Sequence, residues 1–474
     1  MLLVLLALPL LGAVVLAATD GALRRAAHIA TAALTLVAGI AVVAQVAGAG
    51  PLTALGGTLR ADALSAFMVA LIVVVAALAA FDAAREAQAH ERRFLPLVQL
   101  FVFTMLGAVT TDDVGIMWVA VEGTTLASVF LVNAERSRES LEAAYKYLLI
   151  CSVGIALAFV GTILIYFADV HAIGHVESAL RWTALRELAP ALPARLVEVA
   201  FVFVLVGYGT KAGLAPMHTW LPDAHSEAPA PVSALMSGVL LSVGLYGVLR
   251  FKTIVDMAAG PEFASRLFQA VGLASVAVAA MFLWAPANFK RMLAYSSIEH
   301  LGLVCLGIGF GGPWGVLGAV LHVANHALVK SSLFLLAGRI RAAYGSAEIA
   351  RVSGLRDAMP VTSRAFVAGM LALMGLPPFG LFISEVMIFR AGFEAGHVAV
   401  SAVAIALVVL AFGGLLRAMH RMLDGDAPAA VHETSTWASI APVAVALAVL
   451  VLTGIAWPGG FAAALDGIVA VVAK

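Results

Sequence analysis

Runs of about 20 apolar residues, separated by short polar breaks, recur along almost the whole chain, and one such run is the length a helix needs to cross a bilayer. The runs fall near 1–18, 25–47, 62–82, 95–111, 113–133, 144–168, 196–224, 231–251, 267–286, 292–310, 313–338, 361–393, 397–420 and 438–457. They predict an all-α polytopic membrane protein of about fourteen spans. The tail, 458–474, is too short and interrupted to count as another. The first run resembles the core of a signal peptide, but nothing positive precedes it and the AATD after it is a poor cleavage site, so it is expected to remain. The fourth and fifth runs meet at Thr111-Asp112-Asp113, which predicts a tight polar turn.

Two runs are long and broken. The seventh is interrupted by Gly207, Gly209, Gly213 and Pro216, the twelfth by Gly375-Leu376-Pro377-Pro378-Phe379-Gly380. Each is the fourth of five consecutive runs, and because five is odd the second set enters from the opposite side. That is the arrangement of inverted repeats with discontinuous helices in matched positions; two unrelated proline kinks are the simpler alternative. The expected division is 1–94 for three leading helices, 95–251 for the first five-helix repeat, 267–420 for the second, and 438–474 for the last helix and tail.

Composition agrees: 62% of residues are hydrophobic and 12% charged, against about 25% charged in soluble domains. Net charge is zero and gives no reason to expect nucleic acid. Cys151 and Cys305 lie inside apolar runs and read as packed thiols. Lys and Arg gather in alternate connections, sixteen in the set from Arg24 and Arg25 to Arg417 and Arg421, eight in the other. The richer set belongs inside, which places both termini and the long 169–195 connection outside.

Few ionisable residues fall within the runs. Lys211 sits at the break of the seventh, where an unpaired lysine at a helix centre would cost roughly 2.5–3.5 kcal/mol; a polar path offsets that cost and the broken backbone together. Glu122 is mid-run in the fifth and is the expected ion-pair partner of Lys211, with Lys146, at the inner end of the sixth, able to compete for it. His322, His326 and Lys330 are spaced by four in the eleventh, so they share one helix face over about 12 Å of depth, with Asn325 flanking them. A row of groups that titrate or lose charge on burial can pass protons; helix–helix hydrogen bonding is the bland alternative. Glu385 follows the break of the twelfth, and Glu299 and His300 open the body of the tenth. His218, Asp223, His225 and Glu227 make a polar loop after Lys211, either a connector or a proton funnel. Haem would need opposed axial ligands, such as His322 with His300. Zinc between His322 and His326 would find no carboxylate or cysteine on their face, so no metal site is expected. No flavin, nucleotide or cluster motif is visible, and no cofactor is expected.

These residues lie in stretches that resemble a known family. GTKAGLAPMHTWLPDAHSEAPAPVSALMSG, supported by WVAVEGTTL, FKRMLAYSSIEHLG, HVANHALVKSSLF and GLPPFGLFISE, looks like the antiporter-like membrane subunits of respiratory complex I and Mrp cation/proton antiporters. The resemblance covers nearly the whole chain. It implies fourteen helices, two five-helix repeats each with a half-channel, and a central polar axis. It further implies that Glu122 and Lys211 switch, that His322, His326 and Lys330 relay, and that Glu385 gates the outer exit; Lys146, His218, His225, Ser242, Glu299 and His300 are candidate accessories from their positions in the chain. One departure stands out: many complex I subunits carry a lysine where LLSVGLYGVLR has Ser242, so the path from Lys211 to His322 must use water and hydroxyls. That serine, with SSIEHLG and PAPVSALMSG, makes the chain similar to component F of hydrogenase-4 type membrane nickel–iron hydrogenases. The implied function is proton translocation in the bacterial inner membrane, coupled to redox chemistry in partner chains: other membrane subunits and, through them, soluble hydrogenase-like or NADH dehydrogenase-like subunits. A sodium/proton antiporter subunit and a non-pumping anchor are the alternatives.

Overall fold

The computed structural model describes residues 1–88, 90, 92–173, 180–456 and 459–472, and most of them are helical. The chain opens with α1 (Leu2–Ala18), α2 (Gly21–Ala49) and α3 (Ala63–Glu86), and a hairpin of β1 (Leu52–Ala54) and β2 (Leu59–Ala61) joins the last two. Next come α4 (Phe94–Thr110), α5 (Val114–Val132), α6 (Arg138–Ile173), the short α7 (Trp182–Leu188), α8 (Ala194–Lys211) and α9 (Trp220–Glu227). α10 (Ala230–Leu235) and α11 (Leu241–Ala259) form one rod through a π-helical turn at Met236–Leu240. α12 (Pro261–Leu283), α13 (Phe289–Phe310), α14 (Gly312–Tyr344), α15 (Leu355–Ala358), α16 (Pro360–Leu373), α17 (Gly380–Glu394), α18 (Val398–Leu423), α19 (Ala441–Ile455) and α20 (Gly459–Val472) complete the chain.

Among the described residues, nine helices are long and apolar enough to cross a membrane, and four shorter apolar helices accompany them. The two expected breaks are present: α8 and α9 flank one, α16 and α17 the other. The hairpin, α7 and α20 are unforeseen. The hairpin strands are three residues each, too short for a period-two pattern to register, and only Gly56-Gly57 marks their turn. α20 occupies the stretch judged too short for a span. The Thr111-Asp112-Asp113 turn forms as expected, and Asp113 caps α5 by accepting from the amides of Gly115 and Ile116. Cys151 and Cys305 are free and buried.

Burial sorts the helices. The apolar windows of the α10–α11 rod, α13 and α14 are 94–100% buried, whereas those of α2 and α18 are only 33% and 28% buried. The first group forms the interior of the bundle, and the polar side chains of these windows are enclosed by protein. This is where histidine and lysine can be held at membrane depth.

Small residues let neighbouring helices approach closely. A Cβ on Gly161 of α6 would lie 2.7 Å from the Ala200 carbonyl of α8, the kind of backbone contact that stabilises helix pairs in lipid. Gly161→Leu is expected to destabilise the chain by about 1–3 kcal/mol through overpacking, read as a lower unfolding midpoint in detergent. On the polar rim, Arg341 of α14 makes a two-pronged pair with Glu135 at 2.5 and 2.7 Å. Burial alone would push the Glu135 carboxyl up, but the guanidinium holds it below its ordinary value.

Candidate proton path

Lys211 is the last residue of α8, where a cation meets the negative end of the helix dipole. The helix stops because Gly213 takes φ +73°, a conformation glycine adopts without strain. The Lys211 side chain is fully buried. Its ammonium donates to Thr125 Oγ1 at 2.9 Å and Tyr147 OH at 2.7 Å, and lies 4.8 Å from the centre of the Tyr147 ring. Thr125 in turn donates to Glu122 at 3.1 Å, and Ser152 donates to the other Glu122 oxygen at 2.8 Å. The expected direct Glu122–Lys211 pair is therefore corrected to a pair bridged by one hydroxyl. Thr125 sits one helical turn beyond Glu122, which lets it reach the carboxylate and the ammonium together. The expectation that Lys146 competes for Glu122 is also corrected. Lys146 is half exposed and pairs with Glu142 at 2.7 Å and Asp223 at 3.1 Å.

The loop after Lys211 is not a solvated connector. His218 and His225 are buried, and the His225 ring stacks on Phe334 with centroids 4.9 Å apart. Neither His225 nitrogen has a hydrogen-bond partner among the described residues. Asp223 holds Lys146 and Arg291, and buried Lys290 donates to the carbonyls of Ser226 and Ala228. Ser242 borders a cavity of about 20 Å³ walled chiefly by Leu64, Phe67, Met68, Leu245 and Tyr246. That is room for one water and no polar wall to carry a chain of them. Other buried hydroxyls lie in the interior: Ser237 and Ser297 are 2.8 Å apart, and Ser296 accepts from Lys330 at 2.5 Å.

Lys330 is fully buried and also donates to the Leu293 carbonyl. Glu299, one turn of α13 further on, is buried with Oε2 unpartnered. His300 Nδ1 and His322 Nε2 are 2.9 Å apart, and His322 Nδ1 lies 2.9 Å from Ser384 Oγ. Ser384 commits its proton to the Leu381 carbonyl at 2.8 Å, so His322 Nδ1 is the donor of that contact and Nε2 turns its lone pair to His300. The His326 ring is 5.5 Å from that of His300. Asn325, expected to flank this row, instead bonds Thr453 at 2.8 Å. Haem between His300 and His322 is excluded because nitrogens 2.9 Å apart leave no space for iron and a porphyrin. A carboxylate does approach His322, from another helix and not from the face it shares with His326. Glu385 arrives from α17, and ligand atoms of His300, His322 and Glu385 all lie within 4.8 Å of one another.

Sequence reasoning located the ionisable residues but missed the hydroxyls that contact them: Thr125, Tyr147, Ser152 and Ser296, together with Ser384. Their signal was present in GTTLAS, KYLLICS and YSSIEH, where polar positions recur on the face of a neighbouring charge.

Residues 111–411 match the family described as NADH:quinone oxidoreductase/Mrp antiporter, TM. A hydrogenase-4 component F homolog from Methylacidiphilum infernorum is 40% identical over 335 residues, covering 71% of this chain and 70% of that protein. Hydrogenase-4 component B of Escherichia coli is 33% identical over 76% of this chain, which spans 55% of that longer relative. The fold matches a chain of the membrane-bound sulfane sulfur reductase, an archaeal respiratory membrane complex, with TM-score 0.90 at 24% identity over 100% of this chain and 98% of the other. It also matches a chain of the Mrp complex from Dietzia sp., with TM-score 0.87 at 23% identity over 100% and 97%. The chain belongs to the NADH:quinone oxidoreductase/Mrp antiporter transmembrane family.

Proposed function

We propose that this chain is a proton-translocating membrane subunit of a multi-subunit redox complex of the membrane-bound hydrogenase or NADH:quinone oxidoreductase type. Electron transfer takes place in partner chains, and this chain moves protons across the bacterial inner membrane in response. The observation that carries the reading is the fully buried Lys211 ammonium, linked through the Thr125 hydroxyl to Glu122. A buried charge without a full counter-ion is costly, and a change in the Glu122 link alters how strongly Lys211 holds its proton. The second set, Lys330, Glu299, His300, His322 and Glu385, carries the proton onward, with His326 and His225 beside it. We read 95–251 and 267–420 as two inverted five-helix units within about fourteen spans, both termini outside and Glu385 at the outer exit.

The test is electron-donor-driven proton uptake in inverted membrane vesicles that contain the assembled complex. Uptake that depends on Lys211 supports the reading, and unchanged uptake without it would sink the idea. Dependence of the flux on sodium would turn it towards cation/proton antiport. Thr125→Val keeps the shape of the bridge and removes its hydroxyl. Proton uptake is expected to fall by about tenfold, the cost of one buried hydrogen bond to a charged group, with complex yield unchanged on native gels.

A further inference from the structure

We infer that His300, His322 and Glu385 form a binding site for a zinc-class divalent transition-metal cation, and that the bound cation arrests proton transfer through the second half of the path. The binding half goes beyond the proposed function; the inhibitory half rests on it.

Two imidazoles and a carboxylate are the donor set of an open zinc site with a fourth position for water. Imidazole nitrogens select zinc, copper, nickel or cobalt over magnesium and calcium, which prefer oxygen. The ligand atoms lie within 4.8 Å of one another. Bonds of about 2.0–2.2 Å place tetrahedral ligand atoms about 3.3–3.5 Å apart, so the widest separation closes by little more than 1 Å while His300 Nδ1 and His322 Nε2, 2.9 Å apart, open by about 0.5 Å. Glu385 lies in the second turn of α17, which begins directly after the 375–379 break. Gly375 takes φ +64°, and the Glu385 carboxylate occupies the space a Cβ there would fill.

The supporting contacts already orient the ligands. The Ser384 hydroxyl fixes the His322 ring through Nδ1, leaving Nε2 as a lone pair aimed at His300, the outer-shell arrangement that steers metal-bound histidines. His300 Nε2 is buried with no partner among the described residues, so His300 has a second nitrogen to offer or to reprotonate. The carboxylate of Glu385 offsets half of the dication's charge, and Glu299, the residue before His300, adds a second buried carboxyl with an orphaned oxygen. A cation held between His300 and His322 takes the place of the proton they share, so the hand-over from one ring to the other stops.

The experiment titrates Co²⁺ into the purified, metal-stripped full chain in its complex and reads the visible d–d bands and metal content. One Co²⁺ per chain is expected, displaced by Zn²⁺. His300→Gln, His322→Gln and Glu385→Gln should each weaken binding at least tenfold, and Ser384→Ala about tenfold with all three ligands in place. His420→Gln, at an exposed surface pair with Asp424, should leave binding unchanged. Unfolding midpoints confirm that each variant is folded, and Ser384→Ala decides the matter if the ligand variants are not. Absence of the bands in wild type, or equal affinity in the ligand variants, overturns the site, as does loss of binding in His420→Gln. Proton uptake is measured separately: Zn²⁺ that binds without slowing it overturns the inhibitory half. Wild type that binds Co²⁺ but takes up no protons in the absence of metal contradicts the proposed function and leaves the binding site standing.

Discussion

Lys211→Met lowers donor-driven proton uptake by about 100-fold or more, the range for loss of a positioned proton carrier, while the complex stays assembled and electron transfer persists uncoupled or slowed. Methionine matches the unbranched stem of lysine and fills the same apolar space, so packing against Tyr147 is preserved. What disappears is the ammonium and its bonds to Thr125 and Tyr147. Two hydroxyls then lose a donor, a cost of about 1–3 kcal/mol that native gels and an unfolding midpoint will register as modest. Removing the buried cation also removes a desolvation cost, which offsets part of that loss. A protein that assembles normally and still pumps places the transported proton elsewhere. Lys211→Arg separates charge from proton exchange: guanidinium stays protonated at any working pH, so uptake should fall nearly as far as with methionine.

The positions of the charges were legible in the sequence because a lysine, a glutamate or a histidine in a 20-residue apolar run is conspicuous. The breaks were legible for a similar reason, since Gly213 with Pro216 and Gly375 with Pro377-Pro378 stand out against leucine and valine. What lies between the charges was hidden. Thr125 and Ser297 look like ordinary polar substitutions in a helix until the neighbouring helix is placed, and nothing local says that Thr125 faces Lys211, 86 residues away. Helix rotation decided the rest. The sequence places Lys146 where it could compete for Glu122, yet its side chain turns towards Asp223. Glu385 could not be matched to His300 and His322 from sequence because the meeting point is set by the crossing of α17 with α13 and α14. The Ser242 departure was visible, but not its apolar wall, which comes from α3, α13 and α14. A lysine introduced at Ser242 would face those apolar side chains.

Asp62→Ala destabilises the folded chain by about 3–5 kcal/mol, the largest single effect expected away from the proton path. Asp62 receives both arms of the Arg250 guanidinium at 2.7 Å, and Ser65 accepts a third bond from it at 2.9 Å. Asp62 and Arg250 side chains are only 5% and 6% exposed. The guanidinium also lies 4.3 Å from the Trp182 ring centre and 4.8 Å from that of Tyr246, so it is enclosed by aromatic faces that favour a cation. This one group ties the start of α3 to α11 and to α7, and Trp182 returns a bond from its indole to the Arg250 carbonyl at 2.9 Å. Alanine leaves the guanidinium buried and unpaired, which is why breaking such a pair costs more than the pair contributes. Asp62 also caps α3 through the Ser65 amide at 3.0 Å, a further loss of about 1 kcal/mol. The double variant Asp62→Ala, Arg250→Met removes both charges and should recover at least half of the loss, because contacting residues are not additive. Denaturation of the wild type, both single variants and the double in one detergent measures the coupling. Proton uptake per folded complex should stay within about twofold in Asp62→Ala, because this clamp touches neither Lys211 nor the His300–His322 pair; additive losses across the cycle would mean that Arg250 is held by its aromatic cage and not by Asp62.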